Sequence, residues 1–225
     1  MQKMFAVSTR ARTNVKITDK YCLFDKIKKR MGTPLFLART ISSNERMYDS
    51  EVEFLREKQC NILLIYNGLK KDRIKGKYGY ADALGAAISA QELGAIPFNR
   101  IVIFAEIEPK WTVNLRWMNS YIEELLKFGY IPGFICSEEM YRSIDTLYIE
   151  DELSRWVRPA TNDPRVSFML FDCKKEKRNT KKLKNNIDLK LCDKRKVKGI
   201  DIDIIEITDA SILKNLWDGE QIFYR

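Results

Sequence analysis

Apolar positions along the chain follow two patterns, short runs of strand length and longer stretches with helical spacing. The short runs predict β-strands at residues 4–8, 34–41, 61–66, 100–108, 131–136, 166–173 and 199–207, with a weaker run at 155–159. Apolar residues three and four positions apart predict helices at residues 21–31, 49–59, 79–93, 113–128, 137–147 and 212–217. Strands and helices therefore alternate along most of the chain.

The order of these elements predicts an α/β fold in which a parallel sheet is covered by helices. The run NILLIY at 61–66 is apolar on both faces, which is typical of a parallel strand buried between helices. Such alternation fits a doubly wound sheet or a closed barrel. The chain has neither GxGxxG nor GxxxxGK[ST], the glycine-rich loops of nucleotide-binding folds. We therefore expect residues 1–225 to form a single (β/α)8 TIM-barrel-like domain, irregular in its last third because helical periodicity is poor after Leu147.

The absence of histidine restricts the chemistry that this chain can perform. Among 225 residues there is no histidine, which excludes Ser-His-Asp and Cys-His triads and histidine metal ligands. Acid–base catalysis would have to use carboxylates, lysine, tyrosine or cysteine. The five cysteines are irregularly spaced and contain no CxxC pair, so we predict no disulfide framework, no metal site and no cofactor.

The chain carries no predicted membrane segment. No apolar run approaches the roughly 20 residues that span a bilayer. The first twelve residues lack the apolar core of a secretory signal peptide. We therefore expect a cytoplasmic location, or release by a non-classical or phage route.

Positive charge is concentrated in one segment, residues 174–198. This segment contains twelve Lys or Arg residues and three acidic ones, which matches the +9 net charge of the whole chain. We predict an insertion between the last two strands, in which alternating Ile187, Leu189 and Leu191 form a short hairpin. The segment is either a solvated loop or a contact surface for a polyanion such as nucleic acid, teichoic acid or an anionic membrane.

The strand at 100–108 carries the most informative pair of polar residues. Its sequence, RIVIFAEIE, places Glu106 and Glu108 on one face with Val102 and Phe104, about 7 Å apart between Cα atoms. At the carboxyl end of a barrel strand, such a face points into the mouth where barrel enzymes hold their active sites. Two neighbouring carboxylates push their pKa values apart, so that one can donate a proton while the other stays ionised. The alternative is that one or both pair with Arg39 or a lysine.

Other strand ends also carry polar side chains, and together they predict an acidic pocket suited to hydroxyl-rich sugars. These residues are Arg39, Tyr66, Asn67, Asp172, Asp201 and Asp203. Asp201 and Asp203 lie two positions apart on the closing strand and therefore share a face. A solvated edge strand is an equally good explanation of this aspartate pair.

The order of these segments resembles the glycoside-hydrolase-like barrel domains related to family 25 lysozymes. The resemblance covers most of the chain outside the lysine-rich segment and is carried by FLARTIS, DSEVEFLREKQCNILLIYNG, YADALGAAISAQELGAIPFNRIVIFAEIE and YIEELLKFGYIPGFICS. The most specific piece is the Ala-rich helix followed by Leu-Gly, Pro and the strand that ends in two acids. GIDIDIIEI followed by LW looks like the closing strand of the family with its aspartate.

The resemblance implies roles for several of these residues. The family's fourth strand ends in Asp-x-Glu, and Glu108 matches the proton-donating glutamate while Glu106 replaces the aspartate. Asp201 matches the closing-strand aspartate. The family's first strand reads Gly-Phe-Asp-x-Ser, and here MFAVS puts Ala6 in place of the active-site aspartate while Ser8 is kept.

Three functions follow as hypotheses. The first is a retaining or substrate-assisted glycosidase that acts on peptidoglycan or a related amino-sugar polymer, and its site residues form two groups. The catalytic group is Glu108, Glu106, Asp201 and Asp203, and the substrate-binding group is Ser8, Arg39, Tyr66, Asn67, Tyr80, Trp111 and Asp172. In this scheme Glu108 holds the proton and Glu106 is ionised. The second function is an inactive barrel that binds a glycan or a partner, and the third is polyanion binding through residues 174–198.

Overall fold

The protein is an eight-stranded closed barrel surrounded by helices. A computed structural model describes residues 5–97, 100–150, 163–171 and 187–221. The barrel strands, in order around the barrel, are β1 (Phe5–Ser8), β4 (Phe36–Thr40), β5 (Asn61–Tyr66), β6 (Val102–Glu106), β7 (Ile131–Ser137), β8 (Ser167–Phe171), β9 (Ile187–Val197) and β10 (Ile200–Ile207). A small hairpin, β2 (Lys16–Thr18) and β3 (Tyr21–Cys22), follows β1. The predicted barrel fold is confirmed.

The helices of the described segments follow the strands in the predicted order. They are α1 (Leu23–Met31), α2 (Asp49–Glu57), α3 (Gly79–Glu92), α4 (Leu115–Lys127) and α5 (Glu138–Glu150), and a short 3₁₀ turn spans Ala210–Asn215. Each of these helices lies within about three residues of its predicted bounds. Within the described ranges, every helix is too short or too polar to traverse a lipid bilayer.

The last strand runs against its neighbours, which departs from the all-parallel sheet that the sequence predicted. From β1 through β9 the neighbouring barrel strands pair in parallel, whereas β10 is antiparallel to both β9 and β1. The cause is the connection between β9 and β10, which consists of Lys198 and Gly199 with φ angles of 54° and 85°. Two successive positive φ angles are typical of a tight hairpin turn, and so short a connection cannot contain a crossover helix.

Strand β9 corrects the prediction for the lysine-rich segment. Residues 187–197 were expected to belong to an insertion with its own hairpin, but they form a barrel strand that pairs with β8 and β10. Ile187 and Leu189 are buried against the barrel, while the following residues 192–196 are exposed. Lys194 and Lys196 therefore lie on the exposed C-terminal part of a barrel strand. Residues 172–186, and the weak strand prediction at 155–159, lie outside the described residues.

The interior of the barrel is filled by one face of each strand. Its side chains are Ala6, Phe36, Ala38, Leu63, Ile65, Val102, Phe104, Ile135, Met169, Leu189 and Ile205, and Ile212 of the 3₁₀ turn packs below them. Residues at the alternate positions pack outward against the helices. Cys60 and Cys136 are buried in this outer layer, and burial raises the pKa of each thiol to about 12. Strand alternation thus decides which polar side chains reach the barrel interior.

A cavity of about 500 Å³ lies at the end of the barrel where the parallel strands begin. It is lined by Arg100, Leu126, Ile131, Pro164, Arg165, Val166, Ser167, Asp188, Asp209, Ser211, Ile212 and Asn215. Asp188 is buried there, accepts a hydrogen bond from the backbone N–H of Phe168 at 3.2 Å, and has its pKa raised to about 6 by burial. This titratable group is at the opposite end of the barrel from the predicted site.

The interior leaves no room for a side chain at Gly133, which gives a first prediction. A Cβ atom at this position would lie 2.8 Å from Cδ1 of Phe104. Gly133→Ala should therefore lower the free energy of unfolding by about 1–3 kcal/mol through overpacking. Gly76→Ala is the control, because its Cβ would meet its nearest atoms at 3.4 Å. Chemical denaturation of both variants tests this, and equal stabilities would show that the barrel interior is loosely packed.

The buried carboxyl of Asp188 predicts a specific pH dependence of stability. Its pKa of about 6 in the folded protein lies above the reference value of 3.8, so the folded state binds the proton more tightly than the unfolded state. The contribution of Asp188 to stability therefore falls as pH rises between about 4 and 6. Asp188→Asn removes this titration, so its free energy of unfolding relative to wild type should be higher at pH 8 than at pH 4.

Denaturation curves at the two pH values measure this difference. Asp19→Asn is the control, since the Asp19 side chain is exposed to water in the folded protein as well. A difference between Asp188→Asn and wild type that is the same at both pH values would contradict the prediction.

Candidate functional site

Two carboxylates face each other across the upper mouth, the end of the barrel at which the parallel strands finish. Glu106 ends β6 and shares the inward face with Val102 and Phe104, as the sequence predicted. Asp203 lies on the inward face of β10, where it pairs in register with Ser8 of β1. Strands β6 and β10 are four positions apart around the eight-stranded barrel and so occupy opposite walls. The mouth therefore contains an acid from each side.

Glu106 is the more enclosed of the two predicted glutamates. Its side chain is 17% exposed, and Nη2 of Arg10 lies 3.6 Å from Oε1. Burial raises the pKa of Glu106, the Arg10 cation lowers it, and the carboxylates of Glu108, Asp203 and Glu45 raise it further. Burial together with three carboxylates outweighs one cation, so Glu106 holds a proton more readily than an isolated glutamate does.

Asp203 has a different balance of neighbours. It is partly buried, and burial raises its pKa, while the cations of Lys194 and Arg10 lower it and the carboxylate of Asp201 raises it. Lys194 is its register partner on β9. Burial outweighs these charges, so the pKa of Asp203 is raised as well. Two cations oppose the rise at Asp203, whereas Arg10 alone opposes it at Glu106.

The outer members of both acid pairs lie in solvent. Glu108 is exposed, and its carbonyl oxygen accepts a hydrogen bond from the backbone N–H of Trp111 at 3.1 Å. Asp201 is 78% exposed and forms an ion pair with Lys196 at 3.6 Å. The sequence predicts that the outer Glu108 holds the proton, but burial favours protonation of the inner Glu106.

Arg39 and Tyr66 lie outside the mouth, contrary to the sequence prediction. Arg39 follows the inward-facing Ala38 and therefore points outward, where it is fully buried and paired with Glu51. Tyr66 likewise follows the inward-facing Ile65 and packs outside the barrel, where burial raises its pKa. Both residues are at strand ends, but the alternation of the strand directs their side chains away from the barrel axis.

The remaining predicted binding residues are dispersed. Asn67 lies at the rim, where its Nδ2 donates to Oγ of Ser43 and Oγ of Ser42 donates to its Oδ1. Trp111 is partly buried in the loop after β6. Tyr80 is exposed on the first turn of α3, and its backbone N–H donates to Oγ of Ser120 on α4. Asp172 lies outside the described residues.

Three charged residues at the mouth are not predicted by the sequence pattern. Arg10 lies in the loop of residues 9–15 after β1, Glu45 lies in the loop of residues 41–48 after β4, and Lys194 lies on β9. Arg10 Nη1 lies 3.5 Å from Oε2 of Glu45, in addition to its contact with Glu106. Their positions directly after the carboxyl ends of β1 and β4 are the signal that could have identified Arg10 and Glu45.

No protein-family model matches this chain, and no curated protein matches it by sequence. Solved structures do share its fold. An uncharacterized protein of B. stearothermophilus matches with a TM-score of 0.73 at 21% identity, over 95% of this chain and 100% of the other. A Tat-secreted protein of Mycobacterium tuberculosis, in complex with L-tartrate, matches with a TM-score of 0.60 at 14% identity, over 92% and 97% of the two chains.

A further match is GHIP, a glycosyl hydrolase 25 and virulence factor of Streptococcus pneumoniae. Its TM-score is 0.53 at 11% identity, over 95% of this chain and 92% of the other. At such identities the matches show the fold alone. The chain is thus similar in fold to a glycosyl hydrolase 25 protein and to barrel proteins of other descriptions.

Proposed function

We propose that this protein is a glycoside hydrolase that cleaves peptidoglycan or a related amino-sugar polymer with carboxylate acid–base chemistry. The observation that carries the proposal is the pair Glu106 and Asp203, which project from opposite walls of the mouth and are both partly buried. Glycoside hydrolysis uses two carboxyl groups that flank the scissile bond, one protonated and one ionised. The unequal charges around these two groups fit that division.

Glu106 is the proton donor in this mechanism. A buried carboxyl that retains its proton can transfer it to the glycosidic oxygen as the bond to the leaving sugar breaks. Asp203, whose ionised form is favoured by Lys194 and Arg10, faces the positive charge that develops on the sugar ring. It acts there as a nucleophile, as a base for water or as an electrostatic stabiliser.

The resemblance to family 25 lysozymes gives the proton to Glu108 instead. Glu108 is exposed, two residues beyond Glu106, and lies at the outer edge of the same face. Its carboxylate is close enough to raise the pKa of Glu106. We therefore assign Glu108 to substrate contact at the rim with Trp111, whose indole offers a face for a sugar ring, and with Asn67 and Ser8.

Substitution of the carboxyls predicts a clear order of effects. Glu106→Gln should lower the rate of hydrolysis by about 10²–10⁴-fold, the usual contribution of a general acid. Glu108→Gln should keep more than about one tenth of the activity. The wild-type rate should follow a bell-shaped pH profile, because one carboxyl must be protonated and the other ionised. Release of soluble sugar from cell walls and from a chitin-like polymer measures these rates.

Glu53→Gln is the matched control, since Glu53 is exposed on α2 and should not affect the rate. If Glu108→Gln removes activity and Glu106→Gln does not, the two glutamates have exchanged roles. A wild-type protein that cleaves none of these polymers would refute the hydrolase proposal.

A second candidate is a barrel that binds glycans or a partner without cleaving them. The observation that favours it is Ala6, which is fully buried on the inward face of β1 and replaces the active-site aspartate of the resembled family. Retained binding of cell-wall glycan by both wild type and Glu106→Gln, with no hydrolysis by either, would support this candidate.

Polyanion binding is a third candidate, supported by the exposed cations of the β9–β10 hairpin and α1. Lys28, Lys29, Lys194 and Lys198 are exposed, and Nη1 of Arg30 donates to the carbonyl oxygen of Lys196 at 3.0 Å, which brings the two basic elements together. Binding to nucleic acid or teichoic acid that weakens steeply with salt would support this candidate.

A further inference from the structure

A buried ion pair lies just outside the barrel wall, below the upper mouth. Arg39 on β4 and Glu51 on α2 are both inaccessible to solvent, with Nε to Oε1 at 2.9 Å and Nη2 to Oε2 at 3.0 Å. A buried pair of this kind is weak evidence for stability, because desolvation offsets most of its attraction. The further contacts of the two side chains indicate another role.

The pair binds the backbone of the 9–15 loop at two points. Nη1 of Arg39 donates to the carbonyl oxygen of Thr9 at 2.6 Å. The backbone N–H and the hydroxyl of Thr13 donate to Oε1 of Glu51 at 2.8 and 2.7 Å. Both contacts are buried, so water cannot readily replace them. The loop is therefore held on either side of residues 10–12.

The same pair reaches the 41–48 loop. Nη2 of Arg39 lies 3.5 Å from the carbonyl oxygen of Glu45, which also accepts a hydrogen bond from Oγ1 of Thr40 at 2.9 Å. Arg39 thus contacts the backbone of Glu45 itself and of Thr9, the residue before Arg10. The side chains of Arg10 and Glu45 meet each other at 3.5 Å, and Arg10 continues to Glu106 at 3.6 Å.

We propose that Arg39 and Glu51 form a positioning pair that, through the two loops, holds Arg10 against the carboxylate of Glu106. The Arg10 side chain is 64% exposed, and an exposed arginine on an unrestrained loop would spend much of its time in other rotamers. Anchoring of the adjacent backbone restricts where its guanidinium can go. The importance of this arrangement for catalysis rests on the proposed function, in which Glu106 is the acid.

The position of Arg10 affects the pKa of Glu106 because few cations balance the carboxylates around this residue. The charged groups that act on Glu106 are Glu108 on its own element, Asp203 on the opposite wall, Glu45 on the 41–48 loop and Arg10 on the 9–15 loop. Arg10 is the cation in this group. Its removal or displacement leaves three carboxylates unopposed, so Glu106 should hold its proton to a higher pH.

The pKa of Glu106, measured by ¹³C NMR titration of its side-chain carboxyl, tests the proposal without any need for activity. Arg10→Gln should raise the pKa by about 1, the lower limit for a neighbouring opposite charge. The double variant Arg39→Met/Glu51→Leu, which removes both buried charges together, should raise it in the same direction. Adding Arg10→Gln to the double variant should cause a smaller rise than it causes in the wild type, because both changes act through Arg10.

Two further variants distinguish an effect on the position of Arg10 from a general loss of protein stability. Arg165→Met removes ion pairs to Asp163 and Glu123 at the opposite end of the barrel and should leave the pKa of Glu106 unchanged. If the double variant does not fold, Arg39→Lys replaces it. This variant keeps the charge but loses the planar guanidinium that reaches Thr9 and Glu45, so it should raise the pKa of Glu106 by less than Arg10→Gln does.

An unchanged pKa in a folded double variant, or in Arg39→Lys when the double variant does not fold, would overturn the proposal. An equal further rise on adding Arg10→Gln would overturn it as well. If these pKa changes occur but the protein hydrolyses no glycan, the proposed function fails and the positioning role stands. If Glu106 is required for hydrolysis but its pKa does not respond, the positioning role fails alone. In an active enzyme the alkaline limb of the pH profile should move upward with the pKa.

Discussion

Closure of the barrel depends on β10, which pairs with β9 along one edge and with β1 along the other. Without this strand both neighbours would present unpaired backbone groups, and the sheet would stay open. The same pairing places Asp203 beside Ser8 and opposite Glu106. It also lets the hydroxyl of Thr9 donate to the carbonyl oxygen of Asp201 at 3.2 Å, which ties the 9–15 loop to the closing strand. The strand pairing that closes the sheet therefore also brings the residues of the mouth together.

Charge at the mouth is arranged in layers of decreasing enclosure. Glu106 and Asp203 are innermost, Arg10 bridges outward from Glu106 to Glu45, and Glu108 and Asp201 lie in solvent. Because solvent screens the outer charges more than the inner ones, the inner carboxyls respond most strongly to their neighbours. Carboxyl groups at different depths in the mouth therefore differ in how strongly neighbouring charges act on them.

The sequence predicted the fold and part of the site because both depend on strand alternation. Glu106 was placed correctly, since its strand has a clear apolar pattern on each face. The prediction for Arg39 and Tyr66 was wrong because a position at the end of a strand does not determine which face of the strand a side chain occupies. The strand Ile187–Val197 was not predicted because its apolar alternation is short and lies within a lysine-rich segment. Arg10 lies in a loop, where no periodic pattern of apolar residues indicates the position of its side chain.

The pairing of β1 with β10 also constrains how the chain can fold during synthesis. Thr9 and Asp201, which contact each other in the finished barrel, are 192 residues apart in sequence. At a translation rate of about 5–20 residues per second, roughly 10–40 seconds separate the synthesis of these two partners. Until β10 is made, β1 can pair with β4 on one side but has an open edge on the other, and exposed strand edges of this kind are prone to aggregation. The barrel can close only after its last strand has left the ribosome.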